Sequence, residues 1–178
     1  MLLPLALKLS LLLQVNMNKE LSKIKLVVLD VDGTLTDGGV YIDSNGVETK
    51  KFNIKDGAGI VLAEKAGIEF MILTGRKSFC VEKRADELKI KYVCQGVMDK
   101  LAYLKTFLKE HILSPEQVAY MGDDVNDIDC MQYVGFAACP ADAVKKVREN
   151  VDLVSQFNGG CGAVRELCDL LINVAKNI

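Results

Sequence analysis

The feature of this sequence that most limits its fold is an alternation of short apolar runs with longer amphipathic stretches. Apolar runs at 25–29, 69–73 and 118–121 are typical of strands that are buried on both faces of a sheet. Stretches with helical periodicity separate these runs, for example at 77–88 and 98–110. We therefore predict an α/β fold with a doubly wound, mostly parallel, Rossmann-like sheet and helices on both of its faces.

One interruption of this pattern follows the first strand. The segment 40–54 contains the pair Asn45-Gly46 between two strand-like runs, which predicts a small β-hairpin with a tight turn. The sequence has no insertion long enough to form a large cap domain. The other predicted elements are helices at 58–66, 125–132, 142–149 and 163–174, a capped turn at 114–117, and strands at 91–94, 135–138 and 151–154.

The length of 178 residues fits one domain, and the strand–helix pattern begins near Lys25. We predict a single domain over residues 25–178, preceded by an N-terminal extension, residues 1–24, that is poorly ordered or mis-started. Leu2 to Leu13 is apolar but too short to span a bilayer, and it lacks the basic leading region of a signal peptide. Initiation at Met17 or an amphipathic tail is therefore favoured over export.

Charge and cysteine content narrow the possible partners. The formal net charge is −2, whereas a surface that binds nucleic acid needs an excess of positive charge. Six cysteines occur without a C-x-x-C pair, a distribution typical of buried thiols in a reducing cytosol. We expect a cytoplasmic protein that acts on a small molecule, with neither a nucleic-acid nor a membrane partner.

Polar residues follow three of the predicted strands directly. Ligands of doubly wound sheets bind beyond the carboxyl ends of the strands, so these residues are the candidate active site. They are Asp30, Asp32, Thr74, Asp123 and Asp127, together with Lys100 at the start of a helix.

Four carboxylates in one crevice would repel one another unless a cation lies between them. Carboxylate oxygens are ligands that Mg²⁺ prefers, and protein-bound Mg²⁺ often shares phosphate oxygens. Asp30 and Asp32 are two residues apart, so a regular strand would direct both to one face. One of them could attack phosphorus while the other transfers protons. The pattern therefore predicts Mg²⁺-dependent phosphoryl transfer.

The candidate site residues fall in four motifs: Asp30-Val31-Asp32-Gly33-Thr34, Thr74, Lys100 and Gly122-Asp123-Asp124-Val125-Asn126-Asp127. In this order they resemble the four motifs of the haloacid dehalogenase (HAD) superfamily. The resemblance implies that Asp30 is the nucleophile and that Asp32 is the general acid and base. It also implies that Thr74 and Lys100 hold the phosphoryl oxygens. The D-x-D form resembles the phosphatase branch of this superfamily.

The resemblance implies a Mg²⁺ site as well. The cation would be bound by the carboxylates of Asp30 and Asp123 and by the backbone carbonyl of Asp32. Asp127 would support the water molecules around the metal. The four metal residues expected from this resemblance are therefore Asp30, Asp32, Asp123 and Asp127.

A closer similarity is carried by the stretches 36–38, 51–57, 73–77, 95–96, 118–120 and 159–166. Through them the chain, from about Lys25 onward, is similar to one capless branch, the 3-deoxy-D-manno-octulosonate 8-phosphate phosphatases of lipopolysaccharide precursor synthesis. This similarity implies an aspartyl-phosphate mechanism, and a homotetramer in which the hairpin and C-terminal tail of one subunit cover a neighbour's site. It also implies that the following residues contact the phosphorylated sugar acid: Asp32, Asn53, Ile54, Lys55, Asp56, Gly57, Arg76, Arg84 and Lys100.

Three positions depart from this branch and keep other substrates and roles open. Lys55 and Val61 stand where the branch usually has arginine, and Cys161 stands where arginine is common. Because lysine does not reproduce the bidentate fork of arginine on a carboxylate, a nine-carbon keto-sugar-acid phosphate is an alternative substrate. A non-catalytic assembly module, like the related domain of certain sialic-acid cytidylyltransferases, is a further alternative. The retention of every acid and of Lys100 argues against it.

Overall fold

A six-stranded parallel sheet forms the centre of this protein, which we describe over residues 21–176 of a computed structural model. The eight strands in chain order are β1 (Leu26–Leu29), β2 (Tyr41–Ile42), β3 (Glu48–Thr49), β4 (Glu69–Thr74), β5 (Tyr92–Gln95), β6 (Val118–Met121), β7 (Phe136–Cys139) and β8 (Leu153–Val154). The spatial order of the central sheet is β5-β4-β1-β6-β7-β8, and each neighbouring pair is parallel. The predicted doubly wound α/β fold is confirmed.

Helices cover both faces of this sheet. They are α1 (Ile54–Lys65), α2 (Phe79–Leu88), α3 (Lys100–Glu110), α4 (Ile128–Tyr133), α5 (Lys145–Arg148) and α6 (Ala163–Lys176), with 3-10 helices at Pro115–Gln117 and Val125–Asp127. Helices α1, α2 and α6 pack on one face, and α3, α4 and α5 pack on the other. The central strand β1 contributes alternate residues to the two cores, Val27 and Leu29 to the first and Leu26 and Val28 to the second.

Two of the helices whose bounds differ from the prediction have a local explanation. Helix α1 begins at Ile54 instead of residue 58, because the side chain of Asn53 accepts the backbone N–H of Lys55 at 2.8 Å and caps the helix. Helix α5 has only four residues, whereas a helix over 142–149 was predicted. The turn before α5 does not join the helix, because the N–H of Val144 donates to the carbonyl of Asp123, after β6, at 2.9 Å.

The predicted hairpin is formed by β2 and β3, which pair antiparallel with each other. Gly46 has a φ of 79°, a left-handed conformation that glycine adopts without steric cost. The carboxylate of Asp43 accepts the backbone N–H groups of Asn45 and Val47 and closes the turn. Over the described range, the chain between the sheet strands contains no domain-sized insertion, in agreement with the capless prediction.

The predicted N-terminal extension lies mostly outside the described residues, which begin at Leu21. The side chains of Leu21 and Ile24 are buried in the core on the α1, α2 and α6 face, so the packed part of the chain includes the end of that extension. Among the helices of the described range, none has the length and apolar character needed to cross a bilayer.

Candidate active site

The parallel sheet brings the two main acidic motifs to one edge. Leu29 and Met121 are register partners at the carboxyl ends of the neighbouring strands β1 and β6. The N–H of Asp30 extends this pairing by donating to the carbonyl of Met121 at 3.0 Å. Carboxylate oxygens of Asp30, Asp123 and Asp127 lie within 4.8 Å of one another. The predicted convergence of these carboxylates is therefore observed.

The turn after β1 fits closely against Asp123. Gly33 has a φ of 87°, and a Cβ atom at this position would lie 2.0 Å from Oδ2 of Asp123. The hydroxyl of Thr34 donates to Oδ1 of the same carboxylate at 3.2 Å. The Gly33-Thr34 pair therefore leaves space for Asp123 and fixes one of its oxygens, which explains why the sequence has a small residue and a hydroxyl here.

Lys100 connects two of the buried acids. Its Nζ lies 3.1 Å from Oδ2 of Asp30 and 2.7 Å from Oδ1 of Asp127. Burial by itself would lower the pKa of Lys100, but the charges of Asp30 and Asp127 outweigh it, and the pKa is raised. The ammonium group thus stays charged beside the carboxylate that was predicted to be the nucleophile.

Tyr120 is a site residue that the sequence did not suggest. Its hydroxyl donates to Oδ1 of Asp127 at 2.7 Å, and its side chain is fully buried under the site. Burial and the charge of Asp127 raise the pKa of Tyr120 well above its ordinary value, so the hydroxyl remains a donor. The sequence signals were a hydroxyl group in an otherwise apolar strand and the position of Tyr120 within the similar stretch 118–120.

The carboxylate cluster favours a bound cation. Burial, and next the charge of Asp127, raise the pKa of Asp30 to about 6. Burial, and next the charges of Asp30 and Asp127, raise the pKa of Asp123 to about 7. Oδ1 of Asp30 is buried and accepts no hydrogen bond. A divalent cation would supply the missing partner of this oxygen and offset the repulsion, so the residues fit the predicted Mg²⁺.

A cavity of about 160 Å³ opens beside these acids. It is lined by residues from three of the four predicted motifs: Asp30, Asp32, Thr74, Gly75, Arg76, Asp123, Asp124 and Asn126. Thr74 ends β4, the neighbour of β1 opposite β6, which explains its position. Lys100 belongs to the same site through its contact with Asp30.

Asp32 lies at the outer side of the cavity between two cations. Its Oδ1 forms an ion pair with Nζ of Lys50, and its Oδ2 lies 3.6 Å from NH1 of Arg76. Arg76 also binds Glu48 of the hairpin, with 2.5 Å between NH2 and Oε1. Lys50 was not predicted as a site residue. The resemblance implied that the hairpin covers a neighbour's site, whereas Lys50, directly after β3, contacts Asp32 of its own chain.

The other predicted substrate contacts lie at the start of α1, except Arg84, which lies on α2, and none of them lines the cavity. Asn53 caps this helix, and its Nδ2 donates to the carbonyl of Gly160 at 3.1 Å. The buried carboxylate of Asp56 accepts the N–H of Arg165 at 2.8 Å and so caps α6. NH2 of Arg84 donates to the carbonyl of Asn53 at 3.2 Å.

Ile54, Lys55 and Gly57 complete this group. The side chains of Ile54 and Lys55 are exposed, whereas Gly57 is buried, and a Cβ atom on it would lie 2.3 Å from NH2 of Arg84. Ile54, Gly57 and Arg84 line a separate cleft of about 450 Å³, together with Val61. The chain thus gathers the predicted catalytic and metal residues, while the residues at 53–57 and Arg84 form a second surface.

Comparison with known proteins identifies the family. The sequence profile of haloacid dehalogenase-like hydrolases matches residues 93–167. The chain is 45% identical over 149 residues to the 3-deoxy-D-manno-octulosonate 8-phosphate phosphatase KdsC of Escherichia coli strain K12. The matched region covers 84% of this chain and 79% of that protein. The chain belongs to the KdsC family of haloacid dehalogenase-like phosphatases.

Solved structures of KdsC-type phosphatases have the same fold. One from Moraxella catarrhalis, in complex with a magnesium ion, a phosphate ion and a KDO molecule, has a TM-score of 0.88 at 36% identity and covers 91% of this chain and 93% of that chain. A cobalt-bound form from Haemophilus influenzae has a TM-score of 0.84 at 36% identity, covering 88% of this chain and 92% of that chain. The predicted family and the predicted divalent cofactor are confirmed.

Proposed function

We propose that this KdsC-family enzyme hydrolyses 3-deoxy-D-manno-octulosonate 8-phosphate to the free sugar acid and inorganic phosphate in lipopolysaccharide precursor synthesis. The single observation that carries the proposal is the arrangement around Asp30. Its carboxylate lies beside the ammonium of Lys100 and the carboxylate of Asp123, with one oxygen buried and without a hydrogen-bond partner. The choice of substrate rests on the 45% sequence identity to KdsC.

The first step transfers the phosphoryl group to the protein. A carboxylate oxygen of Asp30 attacks phosphorus, and the bond between phosphorus and the sugar oxygen breaks. The departing oxygen takes a proton from the carboxyl group of Asp32. Thr74 and Lys100 donate to the phosphoryl oxygens as charge redistributes. The products are the free sugar acid and an aspartyl-phosphate at Asp30.

The second step restores the enzyme. The carboxylate of Asp32 takes a proton from a water molecule, and the oxygen of this water attacks phosphorus. The bond between phosphorus and the Asp30 oxygen then breaks, which releases inorganic phosphate. Each carboxyl group returns to its initial state, so no further reactant is needed.

Mg²⁺ would be held by the carboxylates of Asp30 and Asp123 and by the backbone carbonyl of Asp32, and it supplies charge neutralisation to the phosphoryl oxygens. Asp127 supports this arrangement from the inside, because its Oδ1 accepts hydrogen bonds from Lys100 and Tyr120. Asp127 can therefore orient Lys100, the lysine beside Asp30, as well as water molecules around the metal.

Arg76 is the candidate for selecting the sugar. It lies at the edge of the cavity with about half of its side chain exposed (49%), so the guanidinium can reach a ligand that extends outward. A carboxylate or hydroxyl of the sugar acid would suit its planar donors. The departures at Lys55 and Val61 keep the nine-carbon keto-sugar-acid phosphate as a second candidate substrate.

We also propose a cytoplasmic homotetramer. Asn53, Ile54, Lys55, Gly57 and Arg84 do not line the cavity of their own chain. In a closed oligomer this surface would instead face the site of a neighbouring subunit. Size-exclusion chromatography with light scattering tests the assembly, and a monomer with full activity would refute this part of the proposal.

A phosphate-release screen tests the function. The wild-type protein with Mg²⁺ is assayed on the eight-carbon and nine-carbon keto-sugar-acid phosphates and on common hexose phosphates. We expect the highest kcat/KM for 3-deoxy-D-manno-octulosonate 8-phosphate and no turnover by Asp30→Asn. A higher kcat/KM for the nine-carbon compound would establish the second candidate instead. Normal turnover by Asp30→Asn would refute the mechanism.

A further inference from the structure

Lys50 is a buried cation of the hairpin that the two-step mechanism does not use. It follows β3 directly, and only 1% of its side chain is exposed. Its Nζ forms an ion pair with Oδ1 of Asp32 and lies 3.7 Å from Oε1 of Glu48. Burial of a lysine is costly unless its charge is paired, so this contact is a specific feature of the fold.

The surroundings of Lys50 hold Asp32 from both sides. Oδ1 of Asp32 faces Lys50, and Oδ2 faces NH1 of Arg76 at 3.6 Å. Glu48 lies between the two cations, because its Oε1 is 2.5 Å from NH2 of Arg76 and 3.7 Å from Nζ of Lys50. The hydroxyl of Ser78 fixes Glu48 further by donating to Oε2 at 2.8 Å. With a cation on each oxygen, the Asp32 carboxylate has little freedom to rotate.

We propose that Lys50 is a positioning residue for the general acid and base, and that the hairpin holds Asp32 in its reactive orientation through it. This inference rests on the proposed function of Asp32. The cavity is lined by Asp32 and Arg76 but not by Lys50, which indicates that Lys50 acts through Asp32 rather than on the substrate. The hairpin is then part of the catalytic apparatus of its own subunit.

The reaction provides a readout that separates positioning of Asp32 from other roles. An alkoxide leaves a phosphate ester poorly without a proton, so a sugar phosphate needs the acid function of Asp32. A p-nitrophenolate leaves readily as an anion and does not need it. The value of kcat/KM reports the steps up to phosphoryl transfer to Asp30, which is where this difference arises.

The test compares Lys50→Met with wild type on the sugar-acid phosphate and on p-nitrophenyl phosphate. We expect kcat/KM to fall by about 30-fold or more on the sugar-acid phosphate and by less than about threefold on p-nitrophenyl phosphate, given the 10²–10⁴-fold range of acid–base catalysis. The neutral amide of Lys50→Gln can still form a hydrogen bond with Asp32. We therefore expect this variant to show a smaller difference between its losses of kcat/KM on the two substrates. Lys50→Gln also provides the test if Lys50→Met does not fold.

Two controls sharpen the comparison. Lys51→Met removes the neighbouring lysine, which is 64% exposed and lies 3.2 Å from Oδ2 of Asp37, and it should leave both activities unchanged. In an Asp32→Asn background, Lys50→Met should cause no further loss on the sugar-acid phosphate, because the residue that it positions is already inactive.

Equal losses on the two substrates, a rise in KM with kcat unchanged, or additive losses in the double variant would overturn the proposal. Each of these results would instead assign Lys50 to substrate binding or to folding. A failure of the proposed function is distinguishable. In that case wild type does not hydrolyse the sugar-acid phosphate, and the comparison is made with whichever alkyl phosphate it does hydrolyse.

Discussion

The ammonium nitrogen of Lys100 lies 2.7 Å from Oδ1 of Asp127, and both side chains are buried. The same nitrogen is 3.1 Å from Asp30, so one cation serves the nucleophile and the acid beside it. This contact joins the start of α3 to the 3-10 helix after β6, two parts of the chain that carry separate sequence motifs. It gives the site a fixed positive charge that is present before any substrate arrives.

Lys100→Met should abolish turnover and also destabilise the protein. The variant leaves Asp30 and Asp127 buried without their cation, and removal of one partner of a buried ion pair typically costs about 3–5 kcal/mol. Urea unfolding in EDTA measures the free energy of unfolding. Lys109→Met, on an exposed position of the same helix, is the control and should be neutral. An unchanged free energy of unfolding in Lys100→Met would show that the pairing contributes nothing.

Asp123→Asn should stabilise the metal-free protein at high pH. Burial raises the pKa of Asp123 from 3.8 to about 7, so its ionisation costs folding energy that grows as pH rises from about 4 to about 7. Asparagine does not ionise and avoids this cost. In EDTA at pH 8 we expect a gain of at least about 1 kcal/mol, or about 2–4 °C in Tm, which disappears near pH 4.

Addition of Mg²⁺ should reverse the order of stability of the wild type and Asp123→Asn. Saturating Mg²⁺ stabilises the wild type, because the cation binds the folded state, and stabilises Asp123→Asn much less. Thermal unfolding with and without Mg²⁺ measures this. A wild type that is as stable as Asp123→Asn in EDTA at pH 8 would contradict the assigned carboxylate cluster.

Gly33→Ala should weaken the metal site specifically. Its Cβ would collide with Asp123 at 2.0 Å from Oδ2, and this carboxylate is a proposed Mg²⁺ ligand. Gly46→Ala is the matched control, because Gly46 has a similar φ of 79° but no atom within 4 Å of the added Cβ. Both variants should lose about 1–2 kcal/mol to backbone strain. Only Gly33→Ala should need about tenfold or more Mg²⁺ for half-maximal activity, and equal Mg²⁺ requirements would contradict this.

Much of the catalytic centre could be predicted from the sequence, because it depends on sheet topology. Asp30 and Asp123 each follow a buried parallel strand, and the ends of neighbouring parallel strands meet at one edge of a sheet. Motif order and the strand–helix alternation were sufficient to place them together.

The contacts that involve the hairpin could not be predicted in this way. Its period and its Asn45-Gly46 turn predict two strands, but they do not determine which surface the strands cover. Lys50 and Lys51 are adjacent and chemically identical, yet one is buried against Asp32 and the other is exposed. The role of Asp56 could not be predicted either. Its carboxylate caps α6 only because α1 packs against α6, which lies about 100 residues further along the chain.

The most direct test of the account is chemical trapping of the phosphoryl group on Asp30. The Asp32→Asn variant, in which release by water is slowed, is mixed with Mg²⁺ and p-nitrophenyl phosphate, whose leaving group needs no proton from Asp32, then quenched and reduced with borohydride. Reduction converts an aspartyl-phosphate into homoserine, which mass spectrometry of the peptide locates. We expect homoserine at position 30, and none when substrate is omitted. Homoserine at another acidic residue, or an unmodified Asp30 after confirmed turnover, would contradict the central claim that Asp30 is the nucleophile.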